Sequence, residues 1–215
     1  MASDNWPSIG YERLMWSSSE DAGRAARRQT GVYEAAIPAL IADQPTSLPP
    51  AITTLAEEAS RELARFDASL GAEIAPFSAV LLRSESAASS RIENLTASAR
   101  AIAEAELGTN VRHNAELIVA NTKAMQAAIS LADRLDSAAI LAMHAVLLAE
   151  RPRIAGQWRT EQVWIGGSDF GPRGADFVAP RHERVPGLIE DLLTFVGRDD
   201  VPPLAQAAIS HAQFE

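Results

Sequence analysis

Apolar residues recur along this chain at spacings of three and four, the mark of helices that bury one stripe. The clearest stripe is Ile52, Leu55, Ala59, Leu63, Phe66 and Leu70, opened by Pro49-Pro50 and stopped by Gly71. A second helix is predicted over about 76–94. It begins apolar, with Phe77, Val80 and Leu81, then becomes Arg83-Ser-Glu-Ser-Ala-Ala-Ser-Ser-Arg-Ile-Glu93-Asn94. Such small residues let another backbone come close, and Asn94 can end the helix in the left-handed region. Thr96 can cap a helix up to Leu107, closed by Gly108. Asn110 starts a long helix with Val111, Ile118, Met125 and Ile129 on one face. Asp136 or Ser137 starts the next, with Ile140, His144 and Leu147 inward.

The ends of the chain have a different texture. Residues 1–34, with Trp6, Tyr11 and Trp16, read as an irregular arm packed by aromatics, followed by a short helix around Tyr33–Ala42. Glycine-rich 154–180 has little helical periodicity. There Gln162-Val-Trp-Ile165 and Asp176-Phe-Val-Ala179 read as two short strands joined by a long turn. Pro186 opens a helix with Leu188, Ile189, Leu192, Leu193 and Val196. Pro202-Pro203 opens another, with Leu204, Ala207, Ala208 and His211 inward and no stop signal before Glu215. The fold class is therefore all-α, a mainly helical bundle, with one short β-hairpin.

Composition narrows the chemistry. Hydrophobic residues make up 47% of the 215, enough for a substantial core, and alanine and leucine favour helix over sheet. There is no cysteine, which excludes disulfides and thiolate zinc sites. A formal charge of −9 argues against nucleic-acid binding by this region. The one basic cluster, Arg24, Arg27 and Arg28, reads as a solvated face. A single lysine, Lys123, leaves little room for Schiff-base or P-loop chemistry. No run is apolar enough to span a membrane and no secretory signal opens the chain, so the expected location is the cytoplasm.

Spacing alone assigns no catalytic residue and no metal site. The four histidines show no metal-binding spacing, and His144 and His211 read as hydrogen-bonded core residues. The loop Gly166–Gly174 matches no nucleotide fingerprint. One local pattern is sharper: Ser89 and Glu93, four residues apart, share a helix face. Glu93 reads equally as a solvated side chain or as a carboxylate set against the helix dipole to await an external cation.

These residues carry a resemblance. Ser89-x-x-x-Glu93-Asn94 resembles the inhibitory motif [S/T]-x-x-x-E-[G/N] of the Fic (filamentation-induced-by-cAMP) family. Leu48-Pro-Pro and Glu85–Asn94 are similar to the amino-terminal region of family members that carry a built-in inhibitory helix. Ala155-Gly-Gln-Trp-Arg159 and Gln162–Ile165 resemble the family's G-x-[YW]-R approach to its flap hairpin. Phe177–Pro180 and Val185–Leu192 resemble the flap's return and the helix after it, and His211–Glu215 the run before the signature H-P-F-x-[D/E]-G-N-G-R-x-x-R. That signature is absent from the 215 residues.

The resemblance implies an arm over 1–34 and a helical region over 35–134 that carries the inhibitory helix. It implies the first part of a Fic core over 135–215, incomplete at the carboxyl end, with its flap at about 162–180. It implies the regulatory and target-docking part of a protein adenylyltransferase, which moves AMP from ATP to a protein hydroxyl. Ser89, Glu93 and Asn94 would form the inhibitory motif. Val163, Trp164, Ile165, Gly166, Phe177, Val178 and Ala179 would hold the protein substrate. ATP and Mg2+ are implied for the complete protein, with neither expected on this chain, which alone is expected to be inactive. A homo-oligomer is compatible with this reading; nucleic acid and membrane are not expected partners. The alternative is a stand-alone, non-catalytic helical interaction or regulatory module.

Overall fold

The computed structural model describes residues 6–18, 23–74, 78–92, 94–109 and 112–215. Among them are eight α-helices and two antiparallel strand pairs, a mainly helical fold with a short hairpin as expected. By internal contacts the chain divides into two compact units, one of residues 54–157 and one of residues 1–53 with 158–215.

The helical unit takes in α3 (Ser78–Ile92), α4 (Ala99–Glu106), α5 (His113–Leu131) and α6 (Ser137–Leu147). Helix α5 is central and packs on the other three. Its Ala115, Ile118 and Val119 meet Ala101 and Ile102 of α4 in a core that excludes water. The predicted small-residue stretch lies on α3, where Ser86 is fully buried and Ser90, one turn on, nearly so. Ser86 Oγ donates to the Ile118 carbonyl at 3.1 Å, and Thr122 Oγ1 donates to the same oxygen at 3.0 Å. A serine hydroxyl in place of a longer side chain is what lets α3 lie close on α5.

Caps follow the local sequence. Ser98, rather than Thr96, caps α4, its Oγ accepting from Ala101 N at 3.2 Å. Asp136 caps α6, Oδ1 accepting from Ala139 N at 2.7 Å. Gly108, at φ 69°, closes α4 as expected. The expected starts at Pro76 and Asn110, with Phe77 and Val111, lie outside the described residues. Helix α2 (Pro50–Ile74) opens at the predicted proline but runs through Gly71. One glycine costs a helix only about 1 kcal/mol, which the remaining turns outweigh. Its stripe is not covered: Leu55, Leu63 and Phe66 are more than half exposed.

The second unit departs most from the sequence reading. Residues 10–16 are not an irregular arm, nor do 33–37 begin a helix. Strand β1 (Gly10–Trp16) pairs antiparallel with β2 (Gly31–Ile37), Gly10 opposite Ile37 and Trp16 opposite Gly31. The short helix α1 (Arg24–Gln29) lies between them. β1 does alternate, with Glu12, Leu14 and Trp16 on the more buried side, but Tyr11 and Met15 put apolar groups outward too and blur the period of two. Pro38 then holds Ile37 extended rather than helical. The short strands β3 (Trp164–Ile165) and β4 (Phe177–Val178) form the expected hairpin, and β4 lies against β2.

Helices α7 (Val185–Val196) and α8 (Pro203–Phe214) complete this unit. Phe195, fully buried, and Leu192 of α7 are among this unit's buried apolar residues, as are Ile41 and Val201. The expected inward face of α8 is reversed: Leu204, Ala207, Ala208 and His211 are exposed. Polar anchors decide this. Gln206 Nε2 donates to the Phe195 carbonyl at 3.1 Å and the Arg198 carbonyl at 2.8 Å, and Gln213 Nε2 donates to the Ala39 carbonyl at 3.1 Å. Satisfying those carbonyls sets the helix's rotation, because alanine-rich faces differ little in burial gain.

Candidate functional site

The hairpin β3–β4 is short, and side chains tie its base together. Arg159 Nη1 donates to the Glu161 carbonyl at 2.8 Å and Nη2 donates to the Pro180 carbonyl, so one guanidinium spans both arms. Gln162 Nε2 donates to the Ala179 carbonyl at 2.6 Å. Backbone bonds run from Asp176 N to the Ile165 carbonyl at 2.9 Å and from Ala179 N to the Val163 carbonyl at 3.2 Å. Gly166 and Gly167, at φ 76° and 72°, turn the chain out of β3 in a conformation that side chains resist. Arg159 is the half-buried cation of this base; burial lowers its pKa, and Glu183 opposes that shift.

The seven residues expected to hold a target divide between surface and anchor. Ile165 is 68% exposed, Val163 and Phe177 are exposed, and Gly166 is open at the turn. Trp164 and Ala179 are half-buried, and Val178, 7% exposed, points into the interior. No strand other than β4 pairs with β3 among the described residues, which leaves β3 with an unpaired edge. Beside the hairpin is a cavity of about 660 Å³, lined by Trp6, Ile9, Arg159, Phe177, Leu188 and Phe214 among others.

Side chains from the amino-terminal strands complete the surroundings. Trp16 packs edge-on against Trp164, ring centroids 5.3 Å apart, and its Nε1 donates to the Phe170 carbonyl at 3.2 Å. Arg173 Nη1 donates to the Arg28 and Thr30 carbonyls at 3.0 and 2.9 Å. Sequence reasoning missed these partners. They lie more than 140 residues apart in the chain, where no local pattern can signal them.

The other expected motif sits in the helical unit. Ser89 is exposed on α3, at the margin of the face that buries Ser86 and Ser90. Glu93 lies outside the described residues. Asn94 has φ 58°, with Asn94 N donating to the Arg91 carbonyl at 3.1 Å and Leu95 N to the Ser90 carbonyl at 2.9 Å. That pair of bonds is a Schellman closure with asparagine in the left-handed position. His144, half-buried, accepts from Gly156 N at Nδ1, 3.2 Å away, which makes it a structural residue. His211 is exposed and not a core histidine.

No group of three metal-ligating side chains gathers among the described residues, and the cavity beside the hairpin is lined mainly by apolar residues, with Arg159, Gln213 and Glu215 among them. No helix among the described residues is long and apolar enough to cross a membrane.

No curated protein matches the chain significantly. Among solved structures it is similar to a Fic family protein from Desulfovibrio desulfuricans G20, with a TM-score of 0.63 and 23% identity. The match covers 80% of this chain and 53% of that one, so the chain spans about half the length of that relative. At this identity the likeness is one of fold. Residues 134–215, which include the flap hairpin, match the sequence model of the Fic/DOC family. Over that segment the chain is similar to the Fic/DOC family.

Proposed function

We propose that this chain is the regulatory and target-docking part of a Fic-type protein adenylyltransferase, inhibited in cis by Glu93. The observation that carries the reading is the hairpin β3–β4 with an unpaired edge, lying inside the segment that matches the family. An extended stretch of target protein adds to β3 as a further strand. Main-chain bonds supply the affinity, and little sequence is read. Exposed Val163, Ile165 and Phe177 offer the contact surface, while buried Val178, paired with Trp164, anchors the hairpin behind it.

On this reading the nucleotide site is built largely from the signature that the 215 residues do not contain. Glu93 pairs with an arginine of that signature and denies ATP the in-line geometry that transfer needs. Ser89, four residues before it in the sequence, steadies the carboxylate. On the same reading, ATP and Mg2+ are cofactors of the complete protein, held largely by that signature.

The test is AMP incorporation from labelled ATP by the protein extended through the signature. Glu93→Gly raises labelling well above wild type, and the chain of residues 1–215 labels nothing in either form. Equal labelling by wild type and Glu93→Gly in the extended protein sinks the inhibitory role. Undiminished labelling after Ile165→Pro, which disrupts the ladder to β4 and so bends the β3 edge, sinks the docking role.

A further inference from the structure

A hairpin whose strands are two residues each is too short to hold itself in water. Ladder bonds fix its register, but nothing in the ladder fixes its tilt. The amino-terminal hairpin β1–β2 touches it at three kinds of contact. Trp16 stacks edge-on against Trp164 of β3 and donates to the Phe170 carbonyl in the flap loop. Gly171 lies against the Trp16 indole and Gln29, so closely that a β-carbon there would collide with both. Arg173 reaches back from the loop to the Arg28 and Thr30 carbonyls, at the carboxyl end of α1, where unpaired carbonyls favour a cation. Glu12 of β1 grips Arg184 just beyond the flap's return.

We propose that the β1–α1–β2 segment is a brace that fixes the orientation of the flap, with Trp16 and Arg173 as positioning residues for target docking. The inference rests on the flap being the docking edge. The brace itself is a separate physical claim: one face of the flap is held by a second hairpin of the same unit, and β3 is left free for a target strand. Trp16 anchors the β3 side and Arg173 anchors the loop, so losing either leaves a single anchor with the base ties of Arg159 and Gln162. Two anchors on opposite sides of a loop resist tilt in a way that neither does alone.

The experiment is amide hydrogen exchange on the 215-residue chain, read by mass spectrometry or NMR, for wild type, Trp16→Ala, Trp16→Phe and Arg173→Gln. The diagnostic amides are Asp176 and Ala179, which bond across the flap. The internal controls are Gly197 at the end of α7 and the amides of α5. Trp16→Ala and Arg173→Gln should each speed exchange at the diagnostic amides by about tenfold or more with the controls unchanged. Trp16→Phe, which keeps a ring against Trp164 but loses the N–H, should fall between wild type and Trp16→Ala. Unchanged flap exchange in Arg173→Gln and Trp16→Phe overturns the brace, whether or not Trp16→Ala folds. Equal acceleration at Gly197 also overturns it, because that reports general loosening of the unit. None of these readouts needs a target or a nucleotide. A failure of the docking reading, seen in the Ile165→Pro labelling experiment, is therefore distinguishable from a failure of the brace.

Discussion

Glu12 on β1 and Arg184, in the turn before α7, meet in a two-point ion pair: Arg184 Nε lies 2.7 Å from Oε1 and Nη2 3.2 Å from Oε2. Arg181 adds its Nε at 3.6 Å from the same carboxylate. A planar guanidinium donating twice to one carboxylate is the strongest geometry such a pair takes. The hydrogen bond from Arg184 holds the Glu12 carboxyl below the usual carboxylate range, and Glu12 in turn pushes the Arg184 guanidinium up.

The sign of the pH effect follows from that shift. A carboxyl whose pKa falls on folding stabilises the fold above its unfolded-chain value, about pH 4, and the contribution is lost as pH drops through the folded value. At neutral pH, Glu12→Gln should therefore melt below wild type, and the gap should close as pH falls below about 4. Circular dichroism melts at a series of pH values check this; parallel curves for the two proteins would show the pair to be without effect.

Asp191 on α7 accepts from Ile41 N at 2.7 Å and Ala42 N at 3.1 Å, and so fastens the segment after β2 to the helix. Ile41 is fully buried, so its freed N–H would find no water. Asp191→Ala should cost about 1–3 kcal/mol, with Asp191→Asn, which keeps one acceptor, costing less. Urea denaturation of the three proteins measures the order.

Asn94 holds φ 58° at the close of α3. Asn94→Gly should leave stability within a few tenths of a kcal/mol, since glycine adopts this conformation freely. Asn94→Val should cost about 1–2 kcal/mol or more, because a β-branched residue resists it. Thermal melts compare them. In the extended protein, Asn94→Val should also raise AMP incorporation if helix closure positions Glu93.

The two cores can be perturbed separately. Phe195→Ala empties the centre of the second unit and should cost about 3–5 kcal/mol. Ser86→Leu forces a larger side chain between α3 and α5 and should cost about 1–3 kcal/mol. Hydrogen exchange locates each loss: Phe195→Ala loosens α7 and residues 31–37, and Ser86→Leu loosens α3 and α5.

Much of the helical unit was legible because its signals are local. Asp136 caps within three residues, Gly108 and Asn94 end helices by their own backbone preferences, and the serines of α3 announce a close approach. The flap was legible for the same reason, through its glycines and paired short runs. The start of α4 shows the limit of such reading, since Thr96 and Ser98 both qualify as caps and only the helix's final placement selects Ser98.

The sequence by itself determined which segments turn, cap and coil, and it carried the family likeness in the stretch around Arg159. Only the tertiary structure decided what those segments meet. Residues 10–16 and 31–37 became a strand pair because two half-apolar strands found each other and then the flap, through Trp16 with Trp164 and Arg173 with Arg28. Helix α8 turned Leu204 and His211 outward because Gln206 and Gln213 had carbonyls to satisfy on the other side. The physical reason is the same in each case. Backbone conformation is set by neighbours along the chain, whereas the facing of an ambiguous element is set by partners whose distance in sequence leaves no local trace.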